Sequence, residues 1–170
     1  MGYNLIYNKV IQDKSNYNRS NLNELISIFD EYTKVVYIYS LEEEEINYPK
    51  KNGNIIYIGE AYREAEATGE RFTQHISTAY NKGGDNGSNY TISMYYWKGK
   101  KLRLRIYQLS DEDDTKGKEN ELIKCHVKEY GAKPIGQGVT GANYTINNLL
   151  ANNFVHELPL IKSKKNRSNI

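Results

Sequence analysis

Apolar positions recur along the chain with two different periods, and the period changes from segment to segment. Leu22, Leu25, Ile26 and Phe29 are spaced as one face of a helix behind Ser20 as a cap, which predicts a helix from Ser20 to near Tyr32. Val35-Val36-Tyr37-Ile38-Tyr39 and Asn54-Ile55-Ile56-Tyr57-Ile58-Gly59 are β-branched and aromatic runs that predict two strands of an antiparallel hairpin, although the link from Ser40 to Gly53 is longer than a hairpin needs. Phe72 and Ile76, four apart, predict a helix carrying Arg71 and His75 on one stripe. The strict alternation from Leu102 to Leu109 predicts a half-buried strand with one basic face. Thr115 to Tyr130 reads as a helix with Leu122, Ile123 and Val127 on its apolar face and Gly131 as its stop. Tyr90 to Trp97 reads both ways: its residues favour a strand, whereas Ser88 would cap a helix and Gly99 would end one. Residues 1–19 show no sustained period and read as irregular or as a short edge element. Residues 82–88 read as a loop, and from Lys133 the chain is rich in glycine and asparagine as far as Phe154.

A chain of 170 residues has room for one ordinary core, and its 16 tyrosines argue against wholesale disorder despite the polar mean hydropathy of -0.77. No window approaches the roughly 18 uninterrupted apolar residues of a membrane span, and the first residues lack the charged flank and apolar run of a secretion signal. Membrane and export are therefore disfavoured. The single cysteine, Cys125, excludes an internal disulfide framework and a cysteine-based zinc cage, which fits a reducing, cytoplasmic setting and leaves oxygen or histidine as metal ligands. A net charge of +2 does not by itself announce a nucleic-acid binder, but the charges are segregated. Acid gathers in Glu42 to Glu45 and Asp111 to Asp114, both read as solvated loops; base gathers in Lys98, Lys100, Lys101, Arg103 and Arg105 and in Lys162, Lys164, Lys165 and Arg167.

Singly, the polar residues of these elements say little, since a strand tyrosine is usually a packing residue. Taken in order, Val35-Val36-Tyr37, Tyr57-Ile58-Gly59, Arg71-x-x-x-His75 and Glu119-x-x-x-Ile123-Lys124 resemble the GIY-YIG nuclease family over about residues 34–137. The second signature is intact; in the first, Val35 and Val36 replace glycine and isoleucine. Arg63 rivals Arg71 for the arginine role, and Gln137 stands where the family usually carries an asparagine after a Lys-Pro pair, here Lys133-Pro134. The resemblance implies an α/β (α+β) fold, a small three-stranded antiparallel sheet flanked by helices, and a helix at Tyr90 to Trp97. It divides the chain into an N-terminal extension with a helix (1–33), a GIY-YIG-like catalytic domain (34–137) and a C-terminal extension with a basic tail (138–170).

It also implies hydrolysis of DNA phosphodiester bonds, for which this set of residue types is suited. Glu119 offers the hard oxygen ligand of one Mg²⁺, or Mn²⁺, that keeps most of its waters. Glu121 competes, but positions two apart point about 200° from one another on a helix, so only one of the two can face the site. Arg71 would clamp a phosphate oxygen through its planar fork. Tyr37 would assist the attacking water, Tyr57 would orient water or phosphate, and His75 would relay a proton or touch phosphate. A free tyrosine has a pKa of about 10, so basic action near neutrality would need a cation nearby.

A stand-alone module with extensions and insertions resembles the family's small site-specific type II restriction endonucleases. Ser40 to Gly53, Lys82 to Asn89 and Gly136 to Tyr144 are the candidate base readers. Such an enzyme is expected to act on double-stranded DNA, to favour a twofold homodimer on a palindromic target, and to need a cognate methyltransferase in its host. The alternatives are a low-specificity DNase of a mobile element or toxin, and a DNA-binding module that keeps the fold without cleaving.

Overall fold

The computed structural model describes residues 3–12, 20–29, 31–62, 68–76, 89–137 and 160–162. Its elements run β1 (Asn4–Gln12), α1 (Ser20–Ile28), β2 (Val35–Leu41), β3 (Glu44–Asn47), β4 (Asn52–Gly53), β5 (Ile55–Ala61), α2 (Thr68–Gln74), α3 (Tyr90–Trp97), β6 (Leu102–Gln108), α4 (Thr115–Tyr130) and β7 (Leu160–Lys162). Arg63, residues 65–67, Ser88, nearly all of the 82–89 loop, residues 138–144 and the basic residues after Lys162 lie outside the described residues.

The main sheet has the order β1-β6-β2-β5 and is antiparallel throughout. The three expected strands are present, and β1 adds a fourth along β6, so the expected three-stranded sheet is corrected to four. Residues 4–12 escape a period-2 reading because their pairing slips between Leu5 and Tyr7 and again between Val10 and Gln12, and each slip moves the following side chains to the other face. In β6, Leu102, Leu104 and Ile106 are buried while Arg103, Arg105 and Tyr107 on the opposite face are half-buried. β2 is central and buried on nearly every residue, which is why it reads as a continuous apolar run.

Aromatic contacts run from the sheet into the helices: Tyr7 meets Phe29 after α1, Phe29 meets Phe72 of α2, and Phe72 stands edge-on to Tyr37 at 5.1 Å between centroids. α1 stops at Ile28, short of Tyr32, where the Phe29 carbonyl accepts the Gly69 N–H at 3.0 Å and docks the start of α2. α3 is a helix, as the resemblance implies, and all eight of its residues are buried. Its cap is Asn89, whose side chain accepts the Ile92 N–H at 3.1 Å. α4 begins at the Asp114 cap and ends at Gly131, which takes the left-handed conformation with φ 84°. Val127, expected on the apolar face of α4, is exposed instead; His126 takes the buried position, stacked on Tyr130 and edge-on to Tyr48.

The long link between β2 and β5 is structured. β3 pairs with β4 and with β7 to make a second, three-stranded sheet. Glu42 to Glu44, expected in a solvated loop, instead face the basic run before and within β6: Glu42 pairs with Arg103 at 2.6 Å, Glu43 with Lys101 at 3.7 Å and Glu44 with Lys100 at 2.8 Å. These three pairs join the two segregated runs. The outer edge of β5 is covered by the segment after α4, where the Gly136 N–H donates to the Ile56 carbonyl at 2.8 Å. No helix among the described residues is long and apolar enough to cross a membrane.

Candidate active site

Strand register decides which tyrosines meet. Tyr37 stands opposite Gly59 and Tyr39 opposite Tyr57, so all four share one face of the β2–β5 hairpin. Phe72 anchors α2 against Tyr37, and α2 ends at Gln74, so His75 sits just past the helix. His75 is 1% exposed, with Nε2 3.0 Å from the Tyr37 hydroxyl and Nδ1 2.9 Å from the Tyr39 hydroxyl. A neutral imidazole has one donor and one acceptor nitrogen, so one phenol donates to the ring while the other accepts from it. The three side chains form a buried hydrogen-bonded chain across the hairpin face.

Tyr37 is fully buried, and that burial, reinforced by the neighbouring Tyr57 phenol, holds its pKa well above the ordinary value against the opposing pull of Arg71. Tyr39 is held up by the same cause. Tyr57, half-buried, is the phenol nearer the surface; its ring lies 6.1 Å from that of Tyr37. Burial and then the Glu119 carboxylate raise its pKa, and Arg71 opposes them.

Glu119 and Arg71 approach this rim from different elements. Glu119 is half-buried on α4, which packs along β5, and burial followed by the charge of Glu60 pushes its carboxyl above the ordinary carboxylate value; Lys116 and Arg71 act in the opposite sense. Glu121 points outward and pairs with Lys118 at 3.6 Å. Among the described residues neither Glu119, Glu60 nor Arg71 makes a hydrogen bond or an ion pair, so two carboxylates and a guanidinium share one electrostatic neighbourhood with their bonding capacity unspent. Such a set suits a hard divalent cation and an anionic ligand. No cluster of three or more acidic, histidine or cysteine ligands occurs among the described residues.

Tyr37, Tyr57, Arg71, His75 and Glu119 are therefore brought together from β2, β5, α2 with its exit, and α4. His75 is buried between two phenols, with a ring nitrogen against each. Gln137 makes a two-sided contact with β5: its Oε1 accepts the Ile58 N–H at 2.9 Å and its Nε2 donates to the Ile58 carbonyl at 2.8 Å. Its amide acts as a short length of neighbouring strand. Two residues went unnoticed in the sequence. Tyr39 was legible in principle, because residues two apart on a strand share a face. Glu60 was not, because alternation sends it to the face opposite Tyr57, and only its place on the edge strand beside α4 brings it to Glu119.

No known family model, no curated protein and no solved structure matches this chain.

Proposed function

We propose that the chain is a metal-dependent DNA endonuclease of the GIY-YIG type, cutting phosphodiester bonds at specific sites in duplex DNA. The observation that carries this reading is that the Arg71 guanidinium and the Glu119 carboxylate, neither with a hydrogen bond or ion pair among the described residues, both act electrostatically on Tyr57, backed by the Tyr37–His75–Tyr39 chain. Phosphodiester hydrolysis needs a positioned water, a cation against the charge developing on phosphorus, and a route for a proton. Arg71 supplies the fixed positive fork for a nonbridging oxygen. Glu119, with Glu60 beside it, would hold Mg²⁺ or Mn²⁺, which when bound stabilises phosphoryl charge and lowers the pKa of water. Tyr57, nearer the surface than Tyr37, is the phenol that orients the attacking water. Tyr37 and His75 stand behind it, where a proton can move along the chain without either residue meeting bulk solvent.

The β3–β4 insertion and its β7 strand form a body beside the hairpin that carries the tyrosines, and they are the described elements suited to reading bases. A twofold dimer would let two such sites cut both strands of a palindrome. The test is digestion of plasmid and phage DNA by purified protein with Mg²⁺, with EDTA, and with Glu119→Gln in place of the wild type. Discrete metal-dependent bands that vanish in the variant are expected. A metal-dependent smear would instead make the protein a low-specificity DNase. Binding without cleavage across Mg²⁺, Mn²⁺ and other divalent metals would overturn the catalytic reading.

A further inference from the structure

The pairing of acidic and basic runs described above stops one step short. It proceeds antiparallel, Lys100 with Glu44, Lys101 with Glu43 and Arg103 with Glu42, the last a two-pronged contact at 2.6 and 3.1 Å. Two residues further along β6 is Arg105, and two residues before Glu42 is Ser40. Where the pattern would supply the second β6 cation with its acid, β2 offers a hydroxyl. The Arg105 Nη2 donates to Ser40 Oγ at 3.3 Å, a long contact, and this is its one side-chain hydrogen bond among the described residues. Among the described residues Arg105 pairs with no carboxylate, and its Nε is buried without an acceptor.

A half-buried guanidinium has given up part of its hydration and recovers it only through an anion or several acceptors. The surroundings supply neither. On the same face of β1, β6 and β2 stand Ile38, directly across from Arg105, and the exposed Asn8, whose carbonyl oxygen is occupied by Arg103 Nη1 at 2.7 Å, leaving its NH₂ as a further donor. Ser40 is fully buried and serves only as the inner contact of Arg105, so the half-buried Arg105 fork and the exposed Asn8 NH₂ are the donors open to an anion here, while Arg103, the other β6 cation, is paired with Glu42.

We propose that the Arg105 face of β1–β6–β2 binds a backbone phosphate of duplex DNA away from the scissile one. The proposal rests on the nuclease reading for the identity of the anion, and on the broken pairing pattern for its place. A planar fork matches two phosphate oxygens, and contacts of this kind fix a protein on the duplex without reading sequence.

The test is binding of the full chain to a short fluorescently labelled duplex, with Ca²⁺ replacing Mg²⁺ to hold back cleavage, across a salt titration. Arg105→Gln is expected to weaken binding about tenfold on every duplex and to flatten the slope of log affinity against log salt by about one. Asn8→Asp supplies a carboxylate at the exposed position directly across from Arg105; it is expected to lose as much binding as Arg105→Gln without a lower Tm, and to add nothing when combined with it. Wild-type cleavage together with unchanged affinity and salt slope in both variants would overturn the surface and leave the nuclease reading standing. Failure of the wild type to bind or cut any duplex would overturn both. Should Arg105→Gln fail to fold, Asn8→Asp decides the matter alone.

Discussion

Tyr37 lies directly across the hairpin from Gly59, and its phenol fills the space a side chain at residue 59 would need: a Cβ there would stand 2.4 Å from both the Tyr37 Cζ and its hydroxyl oxygen. The glycine of Tyr57-Ile58-Gly59 is therefore required by the tyrosine two strand positions from Tyr39, and the two signatures are one packing unit. Gly59→Ala must displace a fully buried ring that is hydrogen-bonded to His75. A cost of about 1–3 kcal/mol is expected in urea denaturation, as for other overpacked cores, together with loss of cleavage. Cleavage retained at the wild-type rate would separate Tyr37 from the reaction.

Tyr39→Phe leaves the edge-on ring contact in place but takes the hydroxyl from His75 Nδ1, a buried nitrogen. The expected destabilisation is about 1–3 kcal/mol. Nitrogen NMR of His75 should report an altered tautomer balance, with cleavage slowed. An unchanged spectrum would show that Tyr39 does not set the imidazole's protonation.

Glu119→Gln removes a half-buried carboxylate that has no hydrogen-bond partner among the described residues and stands near Glu60. Cleavage should fall by about 10²-fold or more, while Tm holds or rises, because a site arranged for ligand is electrostatically strained without it. Calorimetry checks the second half independently of the assay, and a marked fall in Tm would make Glu119 a structural residue.

Gln137→Ala exposes the edge of β5 by leaving both polar groups of the Ile58 peptide without their partner. The Ile58 amide should exchange its hydrogen faster. Gln137→Asn, one methylene shorter, should recover little of this protection, since it cannot reach both groups at once.

His126 gives a pH dependence unrelated to the reaction. Burial lowers its pKa below the ordinary 6.5, although the contact of Nδ1 with the Ala132 carbonyl at 2.7 Å opposes the shift. The unfolded chain then takes up a proton before the folded one, so this contribution is complete above pH 6.5 and is lost as pH falls from there through the lower folded value. Chemical denaturation across this range should show stability dropping with acid, and His126→Gln should remove that component of the slope.

How far the fold could be read in advance depended on whether its determinants were local. β2, β5, β6 and α4 follow from period and from caps such as Asp114 and Gly131, which act within a few residues. β1 was hidden by its two register slips, and the pairing of Glu42 to Glu44 with Lys100, Lys101 and Arg103 was hidden by distance along the chain. For the site, Tyr37, Tyr57, Arg71, His75 and Glu119 were legible from their order, while Glu60 depended on how α4 lies against an edge strand.

Among the described residues β1 pairs with β6 alone, Asn4 lying opposite Gln108, so the first strand of the main sheet in sequence pairs with its last. During synthesis β1 must therefore wait, with Leu5 and its neighbours unpaired, until β6 has left the ribosome. Closing so long a loop costs entropy before the ladder returns any stabilisation, which makes docking of β1 a late and slow event in assembly.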